Sequence, residues 1–189
     1  MKLIVVSKNR QPFNALGTLD LKVELYDPLL PTDISTLEPT VFGGEVINCY
    51  LAEVAKRFQR FPQLATTSFL VYRQRRLREP HFKMDALKTL QMLSGHTFSL
   101  VTFWSLKLAE TKSPSINLAE TKITLNPIPD NTLTEYVNDH NIIDCPTLLD
   151  INDPWTLTFI AKIDGSVNNL LYQLPTEQIL SLLPRELWK

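Results

Sequence analysis

The chain has 189 residues, 44% of them hydrophobic and 21% charged, with a net charge of −1. At that length folding buries roughly 70% of the unfolded chain's surface, enough for one domain, or two small lobes, with a self-sufficient core. These values exclude wholesale disorder, and the near-zero charge leaves nothing global to draw the chain onto nucleic acid or an anionic membrane.

Leu3 to Val6 is a continuous apolar run of strand length, of the kind buried in the middle of a sheet. It ends at Ser7-Lys8-Asn9-Arg10-Gln11-Pro12, where Pro12 can open a helix stopping near Gly17. Leu21, Val23 and Leu25 alternate with polar residues and predict a strand. Pro28 to Pro39 reads as a loop. From Glu45 to about Phe61, Ile47, Leu51, Val54 and Phe58 recur at helical spacing, and Pro62 ends the run. Phe69 to Tyr72 predicts a strand, and Met84 to Leu93 a helix closed by Gly95.

Two long strands follow, Thr97 to Leu108 and Asn117 to Leu125, separated by Lys112-Ser113-Pro114-Ser115 in hairpin fashion. Leu108–Lys112 and Leu118–Lys122 echo one another, which is too little for a repeat architecture. Thr132 to Glu135 has capping-box spacing for a helix through Val137. Trp155 to Ile163 reads as a strand with Leu157, Phe159 and Ala161 on one face. Gly165 then turns into a mostly helical end with Leu170, Leu171, Leu174, Ile179 and Leu183 as core. Strands and helices alternate around a hairpin, so the expected class is α/β with a mixed sheet.

No apolar run approaches the roughly 20 residues of a membrane span, and the opening stretch is too short for a signal-peptide core. Cys49 and Cys145 have no CxxC partner and fit a reduced compartment. A cytoplasmic protein without a membrane partner is the expectation. Thirteen prolines against five glycines disfavour a glycine-built phosphate loop.

Leu93-Ser94-Gly95-His96-Thr97 ends a helix and enters a strand. Thr121-Lys122-Ile123-Thr124-Leu125-Asn126-Pro127-Ile128 is followed by a helix with Glu135-Tyr136-Val137. Ile163-Asp164-Gly165-Ser166-Val167-Asn168-Asn169-Leu170-Leu171 leads to Leu174-Pro175. In this order the segments resemble the Maf-like nucleotide pyrophosphatases, which carry LSGxTH, then TxVxF with a helix ending in YV, then IxGSxxNVVGLP. Leu3-Ile4-Val5-Val6-Ser7 fits the family's opening strand, ILASxSPRR, and the likeness runs from residue 3 to about 183. It implies one domain over residues 1–189, made of two α/β lobes around a central cleft and akin to inosine triphosphate pyrophosphatases. It also implies hydrolysis of a nucleoside triphosphate to monophosphate and pyrophosphate with a divalent metal, Mg or Mn.

That chemistry needs cations for the polyphosphate, carboxylates for the metal and an acceptor for the attacking water. Position by position, much of it is replaced. The phosphate-gripping SxSPRR turn is Ser7-Lys8-Asn9-Arg10-Gln11-Pro12, with Gln11-Pro12 on the arginine pair unless Arg10 slides in by one residue. The LAxxKA lysine falls on Ala55, with Lys56 about 100° away on an ideal helix. The aspartate of GADTVV is Thr67, which carries no charge at pH 7. The Lys-Pro lysine is Glu79, the histidine after LSGxT is Phe98, and the AYGIQG loop is Leu149 to Pro154.

By resemblance, substrate contacts therefore fall to Ser7, Lys8, Asn9, Arg10 and Lys56, and the altered catalytic position is Thr67. Asp33 and Glu38 are weak metal candidates, and Asp144, Asp150 and Asp153 could be a displaced site or simply solvated turns. Arg73, Arg75, Arg76 and Arg78 could contact phosphate, although the lack of interleaved aromatics favours a hairpin tip. His81, His96 and His140 share no ligand spacing. Cys49, and Phe103, Trp104, Trp155 and Phe159 on strands, read first as core. The expectation is a pyrophosphatase homologue with weak or lost catalysis. The alternative is a non-catalytic nucleotide-binding or protein-interaction module, a homodimer being possible in either case.

Overall fold

A computed structural model describes residues 1–29, 37–108, 114–140, 142–145 and 147–188, with the side chain of Asp144 also outside the description. The strands are β1 (Leu3–Val6), β2 (Val23–Tyr26), β3 (Gln63–Tyr72), β4 (Arg75–Arg76), β5 (Thr97–Lys107), β6 (Asn117–Leu125) and β7 (Ile160–Asp164). The α-helices are α1 (Gln11–Gly17), α2 (Pro39–Ala55), α3 (Lys83–Leu93), α4 (Asp130–Asp139), α5 (Pro154–Phe159), α6 (Val167–Tyr172) and α7 (Thr176–Ile179). All seven strands belong to one open sheet, ordered β2-β1-β3-β5-β6-β7 with β4 paired to β3.

The sheet is mixed, as the alternation of elements predicts. β1 runs parallel to β2 and to β3, while β3–β4 and β6–β7 are antiparallel. The expected hairpin is present. Thr97 Oγ1 lies 2.8 Å from Thr124 Oγ1, and Ser99 Oγ donates to Glu120 Oε1 at 2.6 Å. Rising numbers on β5 therefore meet falling numbers on β6. The turn residues 109–113, and with them most of the Leu108–Lys112 echo, lie outside the described residues.

The chain divides into two compact units, Met1–Ser68 with Thr102–Ala119 and Tyr172–Lys189, and Phe69–Val101 with Glu120–Leu171. In the first unit β1 is fully buried, as a continuous apolar run between two parallel neighbours should be. Leu3 and Val5 pack with Leu16 of α1, Leu64 of β3, Trp104 of β5 and Leu174, Ile179, Leu183 and Leu187 of the chain's end. Helix α2 takes the other face of β1. Tyr26, paired with Val6, donates its hydroxyl to Glu53 Oε1 of α2 at 2.7 Å. Beyond β2, Lys22 N–H donates to the Leu187 carbonyl at 3.2 Å and Leu21 forms a lone bridge with Trp188.

In the second unit α3 and α4 bury Ala86, Leu90, Leu93, Leu133, Tyr136 and Val137 against Leu70, Phe98, Leu100 and Ile123 of the strands. Gly95, at φ 71°, ends α3 as predicted. Gly165, at φ 125°, packs so closely on β6 that a Cβ there would lie 2.7 Å from the Glu120 carbonyl oxygen. Thr121 Oγ1 donates to the Ser166 carbonyl at 2.9 Å and accepts from Asn169 Nδ2 at 3.3 Å. The Gly165–Ser166–Asn169 signature thus clamps the chain onto β6.

Four sequence expectations are corrected. Helix α2 begins at Pro39, six residues before Glu45, because Pro39 suits the first turn and Gly43 admits the Phe103 ring. It ends at Ala55 rather than near Phe61. The Thr132–Glu135 box caps nothing, since α4 starts at Asp130 behind Pro129 without a side-chain cap. Trp155 to Phe159 is helix rather than strand: Asp153 caps it by accepting from the Trp155 and Thr156 N–H groups, and Pro154 opens it. The strand begins only at Ile160. Most of the Pro28–Pro39 stretch, residues 30–36, lies outside the described residues.

Candidate functional site

Strand order fixes where a ligand would meet the first unit. The connection after β1 runs through α1 to β2 on one side, whereas the chain after β3 runs on to β5 on the other. Such a switch point opens a crevice beyond the carboxyl ends of the strands. The parallel register of β1 with β3 ends at Val6 opposite Ala65. Ser7 to Arg10 therefore leave β1 beside Thr66 to Ser68, in the middle of β3.

The Ser7–Arg10 turn is built from its own side chains. Ser7 is 2% exposed, and its N–H donates to the Tyr26 carbonyl at 3.1 Å. Its Oγ accepts from Asn9 N–H at 3.1 Å, and Asn9 Oδ1 accepts from Gln11 N–H at 3.1 Å. Asn9 Nδ2 donates to Gln173 Oε1. The Gln173 carbonyl accepts from Ser68 Oγ at 3.3 Å, and Ser68 Oγ lies 2.8 Å from Thr102 Oγ1. A polar chain thus links the turn to β3 and β5. Strand alternation sets Ser7, Thr66 and Ser68 on the face of Leu3, Val5 and Leu64. Thr66 Oγ1 is fully buried there without a hydrogen-bond partner.

The amides of Asn9 and Gln11 are already occupied, Pro12 has none, and α1 is a short helix of seven residues. What the turn presents outward is charge: Lys8 and Arg10 are both exposed, on either side of half-buried Asn9.

The remaining predicted positions scatter. Thr67 is half-buried and, by alternation with Ala65 and its partner Val6, shares the α2 face rather than that of Ser7. Lys56 is exposed and caps the carboxyl end of α2. From there the chain enters β3 at Gln63, opposite Ile4, so Lys56 stands at the starting edge of the strands and not with Lys8 and Arg10. Glu38 is exposed at the start of α2, and Asp33 lies outside the described residues. In the second unit Glu79 is exposed, whereas Phe98, at the family histidine, is 2% exposed in the core. Arg73 to Arg76 make a tight hairpin between β3 and β4, with Arg73 and Gln74 at φ 49° and 63°. Exposed His96 bonds the neighbouring Ser94 carbonyl.

The acidic loop has structural employment. Asp153 caps α5 and its Oδ2 lies 3.2 Å from His140 Nε2. Asp150 Oδ1 accepts from Asn152 N–H at 3.0 Å. His140 stacks on Tyr136 with ring centres 4.5 Å apart, and Trp155 meets both rings edge-on. Burial pushes the Cys49 and Cys145 thiols upward, away from the reactive thiolate form.

A divalent ion needs hard anionic oxygen ligands. The described side chains that follow β1 and lie beside its end on β3 are hydroxyls, an amide and two cations, and Ser7, Asn9, Thr66, Thr67 and Ser68 carry no carboxylate. They do not fit such an ion. Among the described residues no group of three or more His, Cys, Asp or Glu is gathered as ligands.

Sequence reading missed Gln173, Ser68 and Thr102. A signal for Gln173 was present: it stands directly before Leu174-Pro175, where the family motif has glycine, and keeps a left-handed φ of 52°.

Residues 54–186 match the family model described as Maf-like protein. The chain is similar to the dTTP/UTP pyrophosphatase of Chlorobium luteolum, 28% identical over 95 residues, which is 50% of this chain and 48% of that protein. It is also similar to the dTTP/UTP pyrophosphatase of Chlamydia caviae, 27% identical over 81 residues, 43% of this chain and 40% of that one. These matches span about half, or less, of each relative's length. With the family model matched over most of its length and a mixed α/β sheet to fit, this chain belongs to the Maf-like protein family.

Proposed function

We propose that the chain binds a nucleoside triphosphate at the carboxyl end of β1, beside Thr66–Ser68 of β3, and that its pyrophosphatase chemistry is weak or lost. The observation that carries this reading is the composition of that end: Lys8 and Arg10 exposed on a side-chain-braced turn, with neutral Thr67 where the family has its aspartate. A guanidinium takes two phosphate oxygens at once, and an ammonium adds a point charge, so affinity for a polyphosphate survives. Hydrolysis asks for more. An uncharged threonine neither draws a proton from water nor offsets charge building on the phosphates, and loss of one well-placed electrostatic group costs on the order of 100- to 1000-fold. A two-cation grip on a chain of net charge −1 suits a small nucleotide rather than a nucleic acid. No described helix is long and apolar enough to cross a membrane.

The relatives' names make UTP and dTTP the first probes. Calorimetric titration with either, in magnesium, is expected to show binding that weakens about tenfold in Arg10→Ala, the weight of one hydrogen bond to a charged group. Pyrophosphate release is expected to stay far below about 1 per second, the low end of ordinary turnover. Turnover at or above that rate refutes the loss of chemistry, and absence of binding refutes the site.

A further inference from the structure

Gln173 is 3% exposed and holds a left-handed backbone that disfavours any residue with a Cβ. A glycine adopts that backbone freely, so what Gln173 adds at this position is its side chain. Its side-chain carbonyl receives Asn9 Nδ2, from a turn 164 residues away in sequence. Its backbone carbonyl receives Ser68 Oγ, which lies 2.8 Å from Thr102 Oγ1. One end of the tether is therefore anchored on β3 and β5. The other reaches the middle of the turn, because Asn9 Oδ1 also accepts from Gln11 N–H while Asn9 N–H donates to Ser7 Oγ. Asn9 stands between Lys8 and Arg10. Whatever fixes its side chain fixes the backbone from which both cations project.

We propose that Gln173 is a positioning residue: through Asn9 it holds the Ser7–Arg10 turn, and with it Lys8 and Arg10, in the arrangement that grips a nucleotide's phosphates. The inference rests on the phosphate-binding reading of that turn. Strained backbone persists where the surroundings over-determine it, and such positions gather at binding sites. Here the strain supports a side chain that spans to the site, and its side-chain carbonyl is satisfied by the contact it makes.

Gln173→Gly separates positioning from mere scaffolding, since it relieves the backbone while deleting the tether. A scaffolding role predicts a lower melting temperature with unchanged ligand affinity. The positioning role predicts a melting temperature held or raised, with affinity for magnesium-UTP and for inorganic pyrophosphate falling about five- to tenfold, the weight of one or so hydrogen bonds. It also predicts faster amide hydrogen exchange across Lys8–Gln11 with Leu3–Val6 unchanged. Gln173→Glu keeps the side-chain acceptor and should restore parental exchange in the turn. In the double variant Asn9→Ala/Gln173→Gly the affinity loss should be no greater than in the worse single, because both act through one contact. Unchanged exchange at Lys8–Gln11 in Gln173→Gly overturns the proposal, and so does faster exchange with undiminished affinity. A parent chain that binds neither probe overturns the phosphate reading itself. That failure is distinct, because turn exchange still reports whether the tether acts.

Discussion

Replacing Gly44 by alanine is expected to stabilise the protein and replacing Gly43 to destabilise it, although the two are neighbours in α2. A Cβ built on Gly44 meets nothing within 4 Å. That substitution gains only the backbone advantage of alanine in a helix, about 1 kcal/mol. A Cβ on Gly43 would lie 2.1 Å from Cδ2 and 2.4 Å from Cε2 of Phe103. Carbon atoms rest about 3.5–4.0 Å apart, so the ring must withdraw by more than an ångström. Phe103 is 6% exposed and has little room for that. Overpacking of this kind costs about 1–3 kcal/mol, occasionally more. Set against the same helical gain, a clash this deep leaves a net loss of about 1–2 kcal/mol. For a chain of this size 1 kcal/mol moves the melting temperature by about 2–4 °C. Thermal unfolding followed by circular dichroism should rise by about 2–4 °C in Gly44→Ala and fall by about 2–8 °C in Gly43→Ala. Equal rises in both variants would refute the packing of α2 on Phe103.

Gly165→Ala should cost about 3 kcal/mol in urea unfolding, combining an unfavourable backbone with contact against the immovable Glu120 carbonyl and Thr121 Cα; a loss under about 1 kcal/mol argues against the clamp on β6. Tyr136→Phe should cost about 1–2 kcal/mol, because the fully buried hydroxyl accepts from Asp150 N–H at 3.2 Å and Thr156 Oγ1 at 3.0 Å, and an unchanged midpoint would discount that network. Desolvation acts upward on the Asp153 carboxyl, but the Trp155 and Thr156 N–H groups and the His140 ring outweigh it and hold the group below the usual carboxylate range. A depressed folded-state pKa stabilises above the ordinary value of about 4 and is lost as pH falls through the folded one. The melting-temperature gap between the parent and Asp153→Ala should therefore be widest above about pH 5 and narrow progressively as pH falls below about 4. A gap that keeps its full width as the pH falls through the acid range contradicts the assignment.

Much of the fold was legible where a single local rule decides an element. The apolar run Leu3–Val6, the αL glycine after α3 and the β5–β6 hairpin follow from burial, backbone freedom and spacing. Misreadings came where two rules compete. Trp155, Leu157 and Phe159 alternate like a strand, yet Asp153-Pro154 is a helix start, and capping won over periodicity. Gly43-Gly44 reads as a break in α2 and is instead the place where a ring from β5 needs room. The candidate site was legible only in part. Lys8 and Arg10 follow β1 directly, so their edge is set by the chain itself. The role of Gln173 depends on a contact across 164 residues, which no spacing rule reports.

The bonds from Leu21 and Lys22 to Trp188 and Leu187 bear on how molecules of this protein avoid one another. β2 ends the sheet, and a terminal strand offers its unpaired backbone as a template for a foreign strand. The approach to β2 is instead occupied by the protein's own short helical turn at Arg185–Leu187 and the residue after it. The chain thereby covers the residues that lead into its own border strand. Trimming those residues would take Leu187 out of the core and uncover the start of β2 as a surface prone to aggregation.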